Sequence, residues 1–531
     1  MTFSAVLPLT ILAVAFLPWP SAQAQITTSQ YDNARTGAYL GEKMLTPQNV
    51  NAKQFGKILK LPVDGDVYAQ PLYVPSVEIP GKGTHNLLYV ATENDSVYAF
   101  DAEGNPTTPL WQVSFAGAKG ITAVPANAVE CPFIRPAVGV TSTPAIDLRT
   151  GTLFVLARTR ESQSVLRAAE YHQRLHALAI TTGAEKFGGP VEIKAAVTGS
   201  GVGSAGGSVA FDPLRENPRA ALLLLKGAVY LTWASSCDVG PYHGWVMAYD
   251  ALTLKQMGVL NVSPDAREGG IWAGDTGPAA DGAGNVFVAT GNGTFDAASG
   301  GRDYGDSMLR MSIGSEGLAI RDYFTPANQE QLNNSDSDLG SGGPLLLPDQ
   351  PGPHPHLLLI GGKGGTIYLL DRDRLGKYQK VTNADPVQTI PAASDILSAM
   401  AYWNKHVYFL GSQDVLRDFA LDQGRLTLKA SARGPKFTDP GATPTISANG
   451  TKDGIVWVIG SKTWNGSDRP AVLHAYDASN VERELYNTEE NSGRDRPGAA
   501  LRFTIPTVVN GRVYIGAKGE VDVYGLLPTA K

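Results

Sequence analysis

The chain contains two cysteines, Cys131 and Cys237, whose possible chemistry is limited by their surroundings. Neither lies in a CxxC or CxxCH motif, so covalent attachment of a c-type haem is excluded. Two isolated thiols also lack the ligand spacing of a cysteine-based zinc site. In an oxidising compartment they could form a disulfide, although a chain of 531 residues can bury a sufficient core without one.

Other sequence signatures of enzymes are weak or absent. The glycine-rich run at 199–207 is not followed by the Gly-Lys-Ser/Thr of a P-loop, and no strand–helix pattern surrounds it. The eight histidines include no HExxH pair, and no GxSxG elbow occurs. Nucleotide-binding, zinc-protease and α/β-hydrolase functions therefore lack support in the sequence.

A short apolar pattern recurs along the chain, and it must position any reactive side chain. Each copy alternates apolar residues over the length of a strand, and a second strand-like segment precedes most copies. Gly, Pro or Asn bound these segments, which is typical of β-hairpins. We expect the aspartates that end several copies to stabilise turns by accepting backbone hydrogen bonds. The copies end at Asp101, Ala179, Asp250, Ser312, Asp371, Asp422, Asp477 and Gly525.

Units of roughly 50 residues are each too small to bury their own apolar face, which predicts radial stacking. We therefore predict an all-β fold, an eight-bladed β-propeller of four-stranded antiparallel blades. Seven blades are the alternative, because the sixth repeat at 418–422 is poorly marked. The last repeat leaves no room for an outermost strand, so residues 55–63 could supply it and close the ring. The predicted propeller spans 55–531, with 198–207 as an interblade loop.

Composition and the N-terminus indicate an exported globular protein. Gly and Pro are frequent, at 59 and 35 residues, and charged residues make up only 18%, unlike in disordered chains. The formal net charge of −6 argues against a nucleic-acid partner. The apolar stretch 5–20 and the small residues before Gln25 predict a signal peptide over 1–24, cleaved after Ala24, and a periplasmic or secreted protein. No membrane span is predicted, and 25–54 form an N-terminal segment.

The repeat with its Asp-Gly turn resembles the quinoprotein alcohol dehydrogenase-like family of β-propellers. That resemblance implies a planar cofactor, pyrroloquinoline quinone, held on the propeller axis above a tryptophan and beside a Ca²⁺ ion. It also implies oxidation of an alcohol or sugar hydroxyl by hydride transfer to the quinone, with an aspartate as base. Since the chain has no haem motif, a separate electron acceptor would be required.

Four segments resemble the site segments of that family and suggest individual roles. The segment 269–296 implies Trp272 as the floor under the quinone and Asn292 as a Ca²⁺ ligand. The segment 336–346 implies Asp338 as base and metal ligand, 363–372 implies Lys363 as a contact to the quinone oxygens, and 237–250 implies Asp238 as a further metal ligand. Carboxylate and amide oxygens are the ligands that Ca²⁺ prefers.

Each of these residues also has an ordinary structural interpretation. Asn292 between two glycines is typical of a turn, and Asp338 could be a solvated loop acid. Lys363 could be an exposed residue at a strand end, and Trp272 could pack between blades. The chain also lacks the two adjacent cysteines that active alcohol-oxidising members of the family usually carry. The alternative function is therefore a non-catalytic, secreted or periplasmic propeller that binds a protein or a glycan as a scaffold.

Overall fold

The computed structural model describes residues 24–104, 107–162, 167–379, 386–392, 394–461 and 468–528. The signal peptide predicted over 1–24 lies outside these residues, apart from Ala24. The described residues form eight small antiparallel sheets in a ring, which is an eight-bladed β-propeller. The predicted fold class is confirmed, and the seven-blade alternative is wrong. No helix among the described residues is long and apolar enough to cross a membrane.

Blades 1 to 4 each contain a core of four consecutive antiparallel strands. Blade 1 consists of Leu72–Ile79, Gly83–Ala91, Ser96–Asp101 and Trp111–Ser114. Blade 2 consists of Ala145–Asp147, Thr152–Glu161, Glu170–Ala179 and Val191–Glu192. Blade 3 consists of Leu223–Leu225, Ala228–Ser235, Trp245–Asp250 and Gln256–Asn261. Blade 4 consists of Ala279–Ala280, Val286–Ala289, Met308–Gly314 and Gly317–Thr325.

Blades 5 to 8 repeat this arrangement, and the poorly marked sixth repeat forms a complete blade. Blade 5 consists of Leu345–Leu346, Leu357–Gly362, Thr366–Asp371 and Gln388–Pro391. Blade 6 consists of Ala401–Trp403, His406–Phe409, Arg417–Asp422 and Arg425–Ser431. Blade 7 consists of Thr445–Asn449, Lys452–Gly460, Val472–Asp477 and Glu484–Asn487. Blade 8 consists of Thr507–Val509, Arg512–Ala517, Glu520–Leu526 and, from the other end of the chain, Phe55–Pro62.

Shorter elements decorate the blades. The added strands are Ala38–Tyr39, Ile121–Pro125, Ala137–Val138, Glu216–Asn217 and Lys377–Tyr378, and a separate hairpin pairs Ala196–Thr198 with Ser208–Ala210. The helices are Gln329–Asn334 and Ser492–Asp495, with single 3₁₀ turns at Ala273–Asp275, Ala297–Ser299 and Leu339–Ser341. The hairpin connects blades 2 and 3, which agrees with the interblade loop predicted at 198–207.

The apolar core is divided among the interfaces between neighbouring blades. Where the ring closes, Phe55 is fully buried between blades 7 and 8, with its ring centroid 5.5 Å from that of Trp457 and 5.0 Å from that of Tyr486. The repeat aspartates stabilise turns, as predicted: Asp101 accepts backbone N–H bonds from Glu103 and Gly104. Asp250, Asp371 and Asp477 accept equivalent bonds.

One end of the propeller axis is filled by the chain itself. Residues Ile26–Gly37, called the axial plug below, coil tightly because Gln30, Tyr31 and Arg35 adopt left-handed backbone conformations. The plug forms hydrogen bonds to the first strand of every blade, so these first strands surround the axis. The partners on blades 1 to 8 are, in order, Tyr73, Ile146, Leu224, Ala280, Leu346, Tyr402, Ile446 and Val508.

Arg35 is the most extensively bonded side chain of the plug. It is fully buried, and its guanidinium donates to the carbonyls of Pro278, Ser29 and Leu222 and to the Thr28 hydroxyl, at 2.7 to 3.3 Å. Burial lowers the pKa of Arg35 to about 10, against the opposing effect of nearby Asp32. A buried guanidinium with this many acceptors ties the plug to blades 3 and 4.

Candidate functional site

The opposite end of the axis holds a cavity of about 610 Å³, which is in the range of small-molecule sites. Each connection between blades contributes residues to the cavity lining, and others come from loops within blades. In six blades one lining residue precedes the residue that bonds the plug by five residues, or roughly 16 Å of extended strand. The pairs are Tyr68 and Tyr73, Thr141 and Ile146, Arg219 and Leu224, Ser341 and Leu346, Leu397 and Tyr402, and Phe503 and Val508.

Four of the five residues singled out by the family resemblance line this one cavity: Asp238, Trp272, Asp338 and Lys363. Blade topology explains why they meet. In an antiparallel blade the end of the second strand and the start of the first strand lie at the same edge. Asp238 and Lys363 follow the second strands of blades 3 and 5, whereas Trp272 and Asp338 precede the first strands of blades 4 and 5.

Asp338 is the most constrained acid of the cavity. It is 2% exposed, and it precedes the 3₁₀ turn Leu339–Ser341. Its Oδ1 accepts the backbone N–H of Asn292 at 2.8 Å, and its Oδ2 lies 2.5 Å from Nζ of Lys363. Lys363 also donates to Oδ1 of the exposed Asp336 at 3.2 Å. The carboxylate is therefore fixed on both oxygens while it faces the cavity.

The ammonium group of Lys363 is held in its charged form by these acids. Burial lowers its pKa, but the charges and hydrogen bonds of Asp338 and Asp336 outweigh that effect, so the pKa of Lys363 is raised above its ordinary value. Lys363 and Asp338 therefore form an ion pair in the cavity wall, with 2.5 Å between Nζ and Oδ2.

Asn292 does not line the cavity, unlike the other four. It is 8% exposed and lies behind Asp338, and its side-chain amide donates to Oδ1 of Asp336 at 2.7 Å. Its Oδ1 atom is buried without a hydrogen-bond partner among the described residues. A buried, unpartnered amide oxygen is costly unless something else binds it. Asn292 is thus both a turn residue and a positioning residue for Asp338.

The first glycine of the Gly-Asn-Gly sequence, Gly291, is required for steric reasons. A Cβ atom on Gly291 would lie 2.1 Å from Oδ1 of Asp338 and 2.7 Å from Nε1 of Trp272. Glycine is therefore required for the backbone to approach the acid and the indole together. Trp272 is half-buried, and its Nε1 is a buried donor that lacks a partner among the described residues.

Asp238 forms the side of the cavity next to blade 3. Tyr242 donates its hydroxyl to Oδ1 of Asp238 at 2.8 Å, and the Tyr242 ring meets Trp272 edge-on. Burial raises the pKa of Asp238, and the charges of Asp338 and Asp336 add to the rise, whereas the Tyr242 bond and Lys363 oppose it. Asp238 adopts a left-handed backbone conformation, as does the preceding Cys237.

The structure also shows cavity residues that the sequence analysis missed. Cys131 and Cys237 form a disulfide, and both line the cavity, so the bridge joins the loop after strand Ile121–Pro125 to the loop bearing Asp238. The cavity is also lined by Arg219, Arg502, Phe503 and Phe133.

The sequence contains a weak signal for some of these positions. Proline precedes the first strand in six blades, at Pro71, Pro144, Pro278, Pro344, Pro444 and Pro506. Counting back from these prolines would have marked several of the cavity residues.

The donor set suits an organic cofactor better than an isolated metal ion. Among the described residues, no group of three or more Asp, Glu, His or Cys side chains is placed to hold a metal. Asp238 and Asp338 supply two carboxylates, and Asn292 supplies an unpartnered amide oxygen. Because Ca²⁺ takes six to eight oxygen ligands, an ion here would need further oxygens from the cofactor or from water.

Neither a protein-family model nor a curated protein sequence matches the chain. Solved structures do match it in fold. A quinohemoprotein alcohol dehydrogenase from Pseudomonas putida aligns with 96% of this chain and 81% of its own length, at 15% identity and a TM-score of 0.62. The chain has the propeller fold of the quinoprotein dehydrogenases.

A second solved structure with this quinoprotein fold is a europium-containing methanol dehydrogenase. It aligns with 94% of this chain and 98% of its own length, at 14% identity and a TM-score of 0.59. At identities this low, the two likenesses establish the arrangement of the blades, while activity has to be argued from the site itself.

Proposed function

We propose that the protein is an exported quinoprotein dehydrogenase that oxidises an alcohol or sugar hydroxyl, with pyrroloquinoline quinone and Ca²⁺ as cofactors. The observation that carries this proposal is that Asp238, Trp272, Asp338 and Lys363 line one axial cavity of about 610 Å³. These residues come from three different blades, so their meeting is not a local consequence of sequence proximity.

In this proposal Asp338 removes the proton of the substrate hydroxyl. Each of its oxygens already accepts one hydrogen bond, from Asn292 N–H or from Lys363, and each retains a lone pair for a substrate hydroxyl. The Lys363 ammonium lies 2.5 Å from Oδ2 of Asp338 and holds the carboxyl group in place. It can also stabilise negative charge that develops on an oxygen beside it.

Trp272 would form a face of the cofactor site, and its unpartnered Nε1 would donate to a polar atom there. Asn292, Asp238 and Asp338 would provide oxygens to Ca²⁺. When bound, the quinone supplies the hydride acceptor and the ion supplies a Lewis acid. The electrons would then leave to a separate acceptor, since the chain carries no haem-attachment motif.

The first test is a titration of the mature chain, beginning at Gln25, with pyrroloquinoline quinone in the presence and absence of Ca²⁺. We expect saturable, Ca²⁺-dependent quenching of tryptophan fluorescence. The chain from Gln25 onward has seven tryptophans, because Trp19 precedes it, so Trp272→Phe assigns the signal to the cavity. Absence of binding at tens of micromolar cofactor would overturn the proposal.

The second test concerns the base. Asp338→Asn should reduce dye-linked turnover by roughly 10²–10⁴-fold, the usual contribution of general-base catalysis, while cofactor binding changes little. Asp336→Asn is the matched control, because Asp336 contacts the same lysine but its side chain is 71% exposed. If both variants lost activity equally, Asp338 would not be the base.

The second candidate function is a non-catalytic scaffold that binds a protein or a glycan through the loops of the cavity face. One observation favours it: the two cysteines pair across 106 residues instead of forming an adjacent pair. A propeller of this kind would fail to bind the quinone and would keep its partner binding after Asp338→Asn. The same two experiments therefore separate the candidates.

A further inference from the structure

A buried acid lies behind Asp338 and has no part in the chemistry proposed above. Asp306 is fully buried, and it does not line the cavity. It lies in the loop that leads into the third strand of blade 4, Met308–Gly314. Because burying a carboxylate is costly unless its oxygens accept hydrogen bonds, the partners of Asp306 indicate what it does.

The two carboxylate oxygens of Asp306 bond two different segments. Oδ1 accepts the backbone N–H of Leu339 at 3.0 Å, and Leu339 directly follows Asp338. Oδ2 accepts from the side-chain amide of Gln329 at 3.3 Å, and the same amide donates to the carbonyl of Gly293 at 2.9 Å. Gly293 is the last residue of the Gly-Asn-Gly turn. The side chain of Asp306 therefore connects this turn, through Gln329, to the backbone beside Asp338.

The backbone of Asp306 contacts the same turn directly. Its N–H donates to the carbonyl of Gly291 at 2.8 Å. Its φ of 46° lies in the left-handed region, where aspartate is found more often than most residues that carry a side chain. A Cβ atom on the preceding Gly305 would lie 2.1 Å from the carbonyl oxygen of Gly293, so the two loops touch.

These contacts determine where the Asp338 carboxylate lies. Its Oδ1 accepts the N–H of Asn292 at 2.8 Å, which requires the turn and the Asp338 backbone to stay at a fixed separation. Asp306 bonds the residue before Asn292 and the residue after Asp338, so it sets this separation from both sides. An aspartate suits this position because both of its oxygens are acceptors, whereas asparagine offers one acceptor and one donor.

We propose that Asp306 is a positioning residue for Asp338. It holds the backbone of Leu339 against the Gly-Asn-Gly turn, so that the carboxylate of Asp338 faces the cavity. A base has to lie within hydrogen-bond reach of the proton that it removes, so its displacement slows the chemical step. This consequence for turnover rests on the proposed function, whereas the effect of Asp306 on the conformation of segment 336–346 does not.

The test compares Asp306→Ala, which removes both acceptors, with Asp306→Asn, which keeps one acceptor for Leu339. Asp306→Ala should lower kcat of dye-linked turnover by about 10- to 100-fold, with KM and quinone affinity changed by less than about twofold. Asp306→Asn should restore most of the lost kcat. Hydrogen exchange of segment 336–346, measured by mass spectrometry without cofactor, should increase in Asp306→Ala but not in Asp306→Asn.

Asp303→Ala is the matched control. Asp303 lies on the same loop and is 2% exposed, but its carboxylate accepts the N–H of Asp265 and not that of Leu339. Its removal should lower the unfolding temperature without changing kcat of the folded protein or exchange of segment 336–346. Equal losses of kcat in Asp303→Ala and Asp306→Ala would overturn the proposal, as would an unchanged kcat in Asp306→Ala.

The exchange measurement separates this proposal from the proposed function. If the wild-type protein neither binds the quinone nor turns over, the proposed function fails, and exchange of segment 336–346 still decides whether Asp306 holds it. No increase in Asp306→Ala, or an equal increase in both Asp306 variants, would overturn the proposal.

Thermal unfolding is measured for every variant, because Asp306 is buried. If Asp306→Ala does not fold, Gln329→Met takes its place, since it removes the donor that Oδ2 of Asp306 shares with the Gly293 carbonyl. Gln329→Met should increase exchange of segment 336–346 and lower kcat, both to a smaller extent than expected for Asp306→Ala. Unchanged exchange in Gln329→Met would then overturn the proposal.

Discussion

The two ends of the propeller axis are built in opposite ways. At one end the axial plug fills the space between the blades and bonds the first strand of all eight. At the other end, connections from all eight blades surround a cavity of about 610 Å³ that contains charged side chains. The same first strands serve both ends, so the difference lies in what fills the axis.

The plugged end therefore contributes to stability, whereas the cavity end provides the candidate site. The Arg35 guanidinium at the plugged end has four hydrogen-bonding partners within the chain. Both ends contain buried polar atoms without a partner among the described residues, at Ser29 Oγ and the Gln30 amide in the plug and at Trp272 Nε1 and Asn292 Oδ1 near the cavity. Those at the second end lie beside a cavity in which a ligand could bind them. Substitutions at the two ends should therefore have different consequences.

The largest expected effect on stability lies at the plugged end. Arg35→Met should lower the free energy of unfolding by about 3–5 kcal/mol, because the carbonyls of Pro278, Ser29 and Leu222 lose their donor. Urea denaturation measures the change, with the exposed Arg433→Met as control. Cofactor affinity of the folded fraction should stay the same. Equal losses of stability and affinity would contradict the separation of the two ends.

The disulfide should have the next largest effect, confined to the cavity end. The double variant Cys131→Ser/Cys237→Ser removes a cross-link that spans 106 residues, which typically costs about 2–4 kcal/mol. Hydrogen exchange should then increase in the loop that carries Cys131 and around Asp238, but not in the axial plug. Faster exchange in the plug as well would show that the ends are coupled.

A smaller, pH-dependent effect is expected from Glu93, which lies behind the cavity wall. Its Oε2 accepts bonds from Gly139 N–H and the Thr141 hydroxyl, and burial raises its pKa to about 8. The folded state therefore retains a proton that the unfolded state loses above about pH 4.5, so stability falls as pH rises toward 8. The slope is at most about 1.4 kcal/mol per pH unit.

Glu93→Gln should flatten this dependence and stabilise the protein at pH 8, as measured by urea denaturation from pH 5 to 8.5. Glu482→Gln, at an exposed ion pair, serves as the control. If the free energy of unfolding changes with pH equally in wild type and in Glu93→Gln, Glu93 is not buried in its protonated form.

The smallest effect on stability should come from Trp272→Phe. Since the indole Nε1 has no partner among the described residues, its removal costs no hydrogen bond and should change the free energy of unfolding by less than about 1 kcal/mol. Cofactor affinity should nevertheless fall. A large loss of stability would show that Trp272, like Arg35, stabilises the fold, which would contradict the difference between the two ends.

Periodicity was enough to predict the blades. Alternating apolar segments such as 97–101 and 473–477 each became the third strand of a blade, even at the poorly marked sixth repeat. The axial plug was not predicted beyond the existence of a segment at 25–54. Its residues have no strand or helix period, and its bonds join positions hundreds of residues apart, as from Tyr31 to Val508. Local patterns carry no information about such pairs.

The candidate site was predicted in part. The resemblance selected Trp272, Asp338, Lys363 and Asp238, which meet because blade topology places these loops at one edge. It did not select Arg219 or Arg502, since neither lies in a segment that resembles the family. The pairing of Cys131 with Cys237 also stayed open, because two thiols 106 residues apart give no sign of their separation in space.

Blade 8 joins Phe55–Pro62 to Glu520–Leu526, so its two parts are synthesised more than 450 residues apart. Closing a loop of that length is slow, and contacts of this kind delay folding. Strand Phe55–Pro62 therefore stays unpaired, with its apolar face exposed, until the last repeat has formed. During synthesis, a chaperone that covers residues 55–62 would protect this strand from aggregation until blade 8 closes.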